Sequence, residues 1–170
     1  MTSGAGTFLS AGLLAGFLVS SAPLAAQMPP AIVVPGEAAI ATLHAEGAQI
    51  YECKLDPGGR LAWQPREPVA ALIAGGQSVG LQYAGPNWQH IDGSAVRAKM
   101  VAAVPGATFN DLPWLKLEVI EQRGSGLLSH AKSIQRINTK GGALAGACDP
   151  AGAFRSVAYS ADFVFLGKGR

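Results

Sequence analysis

The sequence predicts an all-β fold, a single domain built as an antiparallel β-sandwich or a squat β-barrel. Two observations predict it: side chains alternate with period two in several segments, and turn-forming residues separate those segments. Alternation places one face of a strand in the core and the other in water. Short strands with frequent Gly and Pro between them are typical of sandwiches and barrels, and the chain holds 22 Gly and 11 Pro.

Five segments carry the alternation, and turns such as Gly85-Pro86-Asn87 and Asp92-Gly93-Ser94 lie between them. A preceding segment, residues 37–46, fits either a short helix or a strand. In chain order, the residues expected on the core-facing side are Gln49, Tyr51, Cys53 and Leu55; Val79, Leu81 and Tyr83; Val96, Ala98, Met100, Ala102 and Val104; Leu115, Leu117 and Val119; and Val157, Tyr159, Ala161, Phe163 and Phe165.

An apolar run over residues 8–19 opens the chain, and small residues with Pro23 follow it as far as Ala26. The run is shorter than the roughly 20 apolar residues that span a bilayer. This layout predicts a signal peptide at residues 1–26 and one all-β domain at residues 27–170, located in the periplasm or secreted. No Lys or Arg precedes Lys54, so an uncleaved anchor stays open as the alternative.

The two cysteines, Cys53 and Cys148, are expected to form a disulfide in an exported protein. Closing so long a loop stabilises the fold by about 4–5 kcal/mol in the chain-entropy model. Zinc sites usually contain closely spaced Cys or His pairs, and neither cysteine has such a companion. The histidines, His44, His90 and His130, follow no ligand spacing. We therefore predict neither a metal site nor a cofactor.

The charge excludes one class of partner. The 13 Lys and Arg residues exceed the 11 Asp and Glu by two and are scattered along the chain. Nucleic-acid binders usually carry a basic stripe, so no nucleic-acid partner is expected. No second long apolar run follows residue 26, so no membrane span is expected after cleavage.

Several blocks of sequence resemble a known family. They are GAQIYEC at 47–53, AGPNW at 84–88 with DGS at 92–94, PWL at 113–115, IQRINTKGG at 134–142 with Cys148 after it, and YSADFVF at 159–165. In this order they resemble the domain-of-unknown-function family 3455, which comprises secreted proteins of bacteria and fungi. The resemblance covers essentially all of residues 27–170. It implies no activity, cofactor or partner, because none is established for that family.

One stretch gathers chemically useful side chains around two turns: Tyr83, Trp88, His90 and Asp92. Trp88 offers a flat apolar ring with one N–H for a ligand, and Tyr83 stands nearby. His90 is a candidate acid or base that Asp92 would orient. The alternative is that these residues have only a structural role. An aromatic residue after a Gly-Pro turn commonly packs into the core, and Asp-Gly-Ser is an ordinary turn.

Arg136 lies in a mostly polar strand beside Gln135 and Asn138. A fixed guanidinium there could grip a carboxylate or phosphate of a ligand. The alternative that we prefer from sequence is an ion pair with Asp162 or Glu118.

Two functions fit these observations. The first is a non-catalytic envelope or secreted module that binds a small molecule, a glycan or a protein, with Tyr83, Trp88, His90 and Arg136 as candidate contacts. The second is a secreted hydrolase that uses His90 with a carboxylate such as Asp92. The sequence favours the first, because no Gly-x-Ser-x-Gly nucleophile motif occurs.

Overall fold

The structure, a computed structural model, describes Met1 and residues 28–168. Residues 2–26 of the predicted signal peptide therefore lie outside the described residues. The strands are β1 (Glu37–Leu55), β2 (Leu61–Ala74), β3 (Gln77–Tyr83), β4 (Asn87–His90), β5 (Ala95–Val104), β6 (Trp114–Arg123), β7 (Ser133–Gly141) and β8 (Phe154–Lys168). Two short 3₁₀ helices, Pro30–Ile32 and Leu127–His130, accompany them in the described part of the chain.

Each strand pairs antiparallel with the next one along the chain, and β8 pairs with β1, so the sheet closes into an eight-stranded barrel. The all-β prediction is confirmed, and the barrel is the correct form of it. The ambiguous segment 37–46 is strand, since it pairs with β8 over its length. None of the helices in the described residues has the length and apolar character needed to span a membrane.

The core fills the barrel lumen. Buried residues recur with period two in β1 over residues 43–53 and in β8 over residues 159–165, as the alternation predicts. The predicted core positions of Leu55 and Met100 are wrong: Leu55 ends β1 and is 65 % exposed, and Met100, at a register shift between β5 and β6, is 61 % exposed. The largest side chains inside are Trp88, Phe163 and Phe165. The Trp88 ring meets Phe163 edge to face with centroids 5.3 Å apart, and Phe165 at 6.4 Å. Such edge-on aromatic pairs stabilise a core beyond their buried area.

The predicted facing of β3 is wrong at Leu81, whereas Val79, beside a register shift between β2 and β3, packs against the core as predicted. Leu81 is 56 % exposed, whereas Gly80 and Gln82 are buried. The reason is the closure of the sheet: Gln82 pairs with Trp88 on one side and Ala70 on the other, and both of those residues face the lumen. Neighbouring residues in a strand face opposite sides of the sheet, so Leu81, which lies between Gly80 and Gln82, must point outward.

One end of the barrel is closed by the second 3₁₀ helix, which inserts Leu128 with no exposed surface. Four residues hold this closed end together. Asp92 Oδ2 accepts from the Leu127 N–H at 2.7 Å, and Ser94 Oγ accepts from the Leu128 N–H at 3.1 Å. The helix is therefore anchored to the turn between β4 and β5.

The rim at the opposite end is uneven. β2 pairs with β3 only over Ala70–Ala74, so its first part extends beyond the shorter β3. Pro65 and Pro68 lie in this extension, where the missing N–H groups cost no pairing with β3. The resulting step leaves a gap in the rim between Pro68 and the β3–β4 turn at Pro86, which we call the mouth.

The predicted disulfide is confirmed. Cys53 in β1 is bonded to Cys148 in the loop before β8, with their Cα atoms 5.7 Å apart. Tyr51, two residues earlier, donates from its hydroxyl to the Gly142 carbonyl at 2.7 Å and accepts from the Leu144 N–H at 3.1 Å. The covalent bond and these hydrogen bonds fix the loop 142–153 to the long strand β1.

Candidate functional site

A pocket of about 230 Å³ opens at the mouth of the barrel. An eight-stranded barrel is just wide enough for its side chains to fill it or to leave room for one small ligand. Here room is left, because Gln82 and Arg136 stand where large apolar side chains would complete the core. Every strand contributes to the lining, which consists of Gln49, Pro68, Gln82, Pro86, Trp88, Met100, Leu115, Leu117, Arg136 and Phe163.

Arg136 reaches the pocket from β7, where its strand neighbours are Leu115 and Phe163. The side chain is buried, and its Nε and Nη2 atoms donate to the Pro113 carbonyl at 3.1 and 2.9 Å. This hydrogen bond fixes the guanidinium plane. It also ties the strand to the loop that precedes β6.

The predicted ion pair of Arg136 with Asp162 or Glu118 is wrong. Asp162 accepts from His44 at 2.8 Å and from Asn138 at 2.8 Å, and Glu118 pairs with Lys99 at 3.0 Å. Both carboxylates lie on the outer face of the sheet, whereas Arg136 faces the lumen. The period of two puts them on opposite sides of the barrel wall.

The charge of Arg136 persists in the pocket. Burial lowers its pKa to about 10, which still leaves the guanidinium protonated at neutral pH. Its Nη1 atom has no hydrogen-bond partner among the described residues and is not sealed off by them. The pocket therefore contains a fixed positive charge with a free donor edge.

Gln82 and Tyr159 form a second polar element. The Tyr159 hydroxyl donates to Gln82 Oε1, and burial raises the pKa of Tyr159 to about 12, so the phenol keeps its proton. The Gln82 amide nitrogen has no partner among the described residues. Trp88 Nε1 is buried and also lacks a partner in that part of the chain. Within the described residues, the site thus has free N–H donors at Arg136 and Gln82, beside a free acceptor at Gln49 Oε1.

His90 and Asp92 are adjacent, with 3.0 Å between His90 Nδ1 and Asp92 Oδ2. The Asp92 carboxylate is, however, occupied by structural hydrogen bonds. It accepts from the Leu127 N–H, from Ser94 Oγ at 2.6 Å and from the Ser94 N–H at 2.9 Å, and these bonds hold its pKa well below the usual range. The pair belongs to the closed end, and neither side chain lines the mouth pocket.

The sequence-predicted contacts therefore divide into two sets. Trp88 and Arg136 come together in the mouth pocket, whereas His90 lies at the closed end and the half-buried Tyr83 is outside the lining. Gln49 and Gln82 were missed as pocket residues. For Gln82 the available signal was Gly80 two residues earlier in the same strand, because a glycine within a strand marks a close backbone approach.

A larger groove of about 610 Å³ runs beside the second 3₁₀ helix. Its positive groups are Lys132 and Lys168, and both residues are exposed. Solvated lysines of this kind do not fix a ligand in one orientation, in contrast to the buried Arg136. Among the described residues, no group of three or more His, Cys, Asp or Glu side chains is arranged to hold a metal ion.

A family model matches more than half of the chain. The model of the family described as Protein of unknown function (DUF3455) matches residues 73–167. This region contains every residue that lines the mouth pocket except Gln49 and Pro68. No curated protein and no solved structure matches the chain. The chain therefore belongs to the DUF3455 family.

Proposed function

We propose that this protein is an exported, non-catalytic module that binds a small molecule in the mouth pocket. In this proposal residues 1–26 are a signal peptide, and residues 27–170 form the domain that acts in the periplasm or outside the cell. The observation that carries the binding role is a pocket lined from all eight strands, with Arg136 and Gln82 buried in it. A few fixed polar groups in an otherwise apolar cavity are the usual composition of a ligand site.

The shape of the pocket favours a small molecule over a glycan or a protein. The site lies within the barrel wall and its volume is below the roughly 300–1,000 Å³ of common ligand pockets. Trp88 is 1 % exposed and packs edge-on against Phe163, so its ring offers no open face on which a sugar could stack. A partner protein would need a larger exposed surface than this site presents.

The hydrolase alternative has less support. A general acid or base must lie within reach of a bound substrate. His90 lies at the closed end, away from the mouth pocket, and Asp92 is bound to Ser94 and Leu127. The contacts of this pair explain how the end of the barrel is held, without reference to catalysis.

Export is supported by the disulfide, because such bonds persist in oxidising compartments. The test is the intact mass of the protein recovered from its own cell envelope or medium. We expect the mass of residues 27–170 minus two hydrogens. A full-length product in the cytosol with two alkylatable thiols would contradict the proposal.

Ligand binding is tested by native mass spectrometry of the same material, followed by release of bound molecules under denaturing conditions. Leu115→Trp would fill the pocket from β6, whereas Leu81→Trp adds the same ring on the outer surface and serves as the matched control. We expect a carried-over small molecule in the natural protein and in Leu81→Trp, and its loss in Leu115→Trp. Equal retention in both variants would place the ligand elsewhere.

A further inference from the structure

We infer that the ligand of the mouth pocket is a small monocarboxylic acid whose carboxylate binds the Arg136 guanidinium; this inference rests on the proposed function. The acid would lie with its apolar body against the lumen wall formed by Leu115, Leu117 and Phe163.

The charge requires an anion. Arg136 is 9 % exposed, and both of its hydrogen bonds go to one neutral carbonyl, that of Pro113. A buried cation is costly unless a counter-charge accompanies it. The described residues supply none: Tyr159 holds its proton, and the outer-face carboxylates are bound to other partners. A ligand with a negative group would complete the site.

The geometry favours a carboxylate over a phosphate. The guanidinium is planar, and its free Nη1 edge matches a planar carboxylate in a two-bond arrangement. The remaining polar neighbours, Gln49 and Gln82, are neutral amides. A phosphate dianion would leave about one negative charge uncompensated in the pocket, whereas a monocarboxylate balances Arg136 one to one.

Size limits the rest of the molecule. Water occupies about 30 Å³ per molecule in the liquid, so a pocket of about 230 Å³ holds on the order of eight water-sized groups. A ligand of roughly ten non-hydrogen atoms therefore fits, as in an aromatic or short aliphatic acid. Met100 also lines the pocket, and its flexible side chain lets the site adapt to the shape of such a body.

The test compares anionic and neutral probes, with benzoate and benzamide as the pair that matches in shape and differs in charge. In Trp63→Phe/Trp114→Phe, Trp88 is the remaining tryptophan, and its fluorescence reports on the pocket that it lines. Benzoate, phenylacetate, hexanoate, the neutral isostere benzamide and inorganic phosphate are titrated at neutral pH, with calorimetry on the natural protein as a check. We expect at least one acid to bind roughly tenfold or more tightly than benzamide and phosphate.

The outcomes separate the two proposals. Benzamide binding as tightly as every acid would overturn the carboxylate assignment and leave small-molecule binding intact. Tighter binding of phosphate would overturn it as well. If no organic probe binds, and protein from its natural compartment carries no small molecule, both proposals fail.

Variants of Arg136 identify the group responsible. Arg136→Gln removes the charge and keeps N–H donors for Pro113, whereas Arg136→Lys keeps the charge and loses the planar pair of guanidinium N–H donors. We expect Arg136→Gln to weaken acid binding about tenfold or more while benzamide binding stays within about twofold. The acid affinity of Arg136→Lys should lie between those of the natural protein and Arg136→Gln. Arg97→Gln, which breaks an exposed ion pair with Glu121, should change neither the acid affinity nor the benzamide affinity. If Arg136→Gln does not fold, the acid-to-amide ratio in the natural protein still decides the question.

Discussion

At the closed end of the barrel, the Asp92 carboxylate accepts hydrogen bonds from Ser94 and Leu127, and Leu128 fills the space beneath them. At the mouth, the donors of Arg136 and Gln82 have fewer partners than they can bind, and a pocket remains. At the closed end Asp92 and Ser94 are therefore held in a hydrogen-bonded network, whereas donors at the mouth remain available. Arg136 Nη1 and the Gln82 amide nitrogen have no partner among the described residues and are not sealed off by them, so these donors can still bind another group.

The first test concerns the covalent bond that fixes the mouth side. Replacing both cysteines in Cys53→Ser/Cys148→Ser should lower the free energy of unfolding by about 4–5 kcal/mol, because the long loop is no longer closed in the unfolded chain. Urea denaturation of the variant and the natural protein measures the difference. A loss below about 1 kcal/mol would mean that the bond adds little beyond the barrel packing.

The second test compares the packing of the two ends with one kind of substitution. Leu128→Ala should cost about 2–5 kcal/mol, because it creates a cavity at a fully buried site. Leu115→Ala should cost at most about half as much, because the removed atoms border an existing pocket. Equal losses in urea denaturation would show that the mouth is packed as tightly as the closed end.

Ser94→Ala addresses the polar network of the closed end. The hydroxyl of Ser94 is buried and accepts from the Leu128 N–H, which would lose its partner. Leaving that N–H unpaired should cost about 1–3 kcal/mol in the free energy of unfolding. Ser125→Ala, in the exposed turn before the 3₁₀ helix, is the control and should have no measurable effect.

The corresponding polar pair near the mouth should behave differently when it is removed as a whole. Gln82→Leu alone leaves the buried Tyr159 hydroxyl without its acceptor and should destabilise the barrel. Gln82→Leu/Tyr159→Phe removes both partners and should return to within about 1 kcal/mol of the natural protein. A double variant less stable than the single one would show that these groups hold the fold rather than the site.

The smallest expected effect is the change in the free energy of unfolding as the solution becomes acidic. Hydrogen bonds from Leu127 and Ser94 lower the pKa of Asp92, and those from Gly141 and Thr108 lower that of Asp111 less strongly. Both groups contribute stability above the unfolded-state pKa, about 3.9, and lose it as the pH falls through the folded-state value. Asp92→Asn should flatten the acid limb of a stability–pH curve more than Asp111→Asn. The reverse order would contradict the comparison of the two ends.

The sequence was informative where local pattern decides the structure. The alternation in β1, β6 and β8 predicted Tyr51, Leu117 and Phe163 as buried residues, and export predicted the disulfide. It failed at Leu81, because the facing of a short strand follows from its neighbours in a closed sheet and not from its own composition. Closure of the sheet into a barrel depends on all eight strands, so it cannot be predicted from the sequence of any single segment.

The same limit explains the partial prediction of the site. Trp88 and Arg136 were recognised by residue type, but their meeting across the lumen depends on pairings between strands distant in sequence. The closeness of His90 and Asp92 in the chain suggests a catalytic pair. The hydrogen bond that Asp92 accepts from Leu127, 35 residues away, is a contact that no local pattern reveals.

The step in the rim has a consequence for how the protein behaves in concentrated solution. An unpaired stretch of strand is a template onto which a second molecule can add its own backbone. In β2 that stretch contains Pro65 and Pro68, which have no N–H to offer to an incoming chain. The two imide nitrogens therefore make this stretch of β2 a poor template for strand addition by a second molecule.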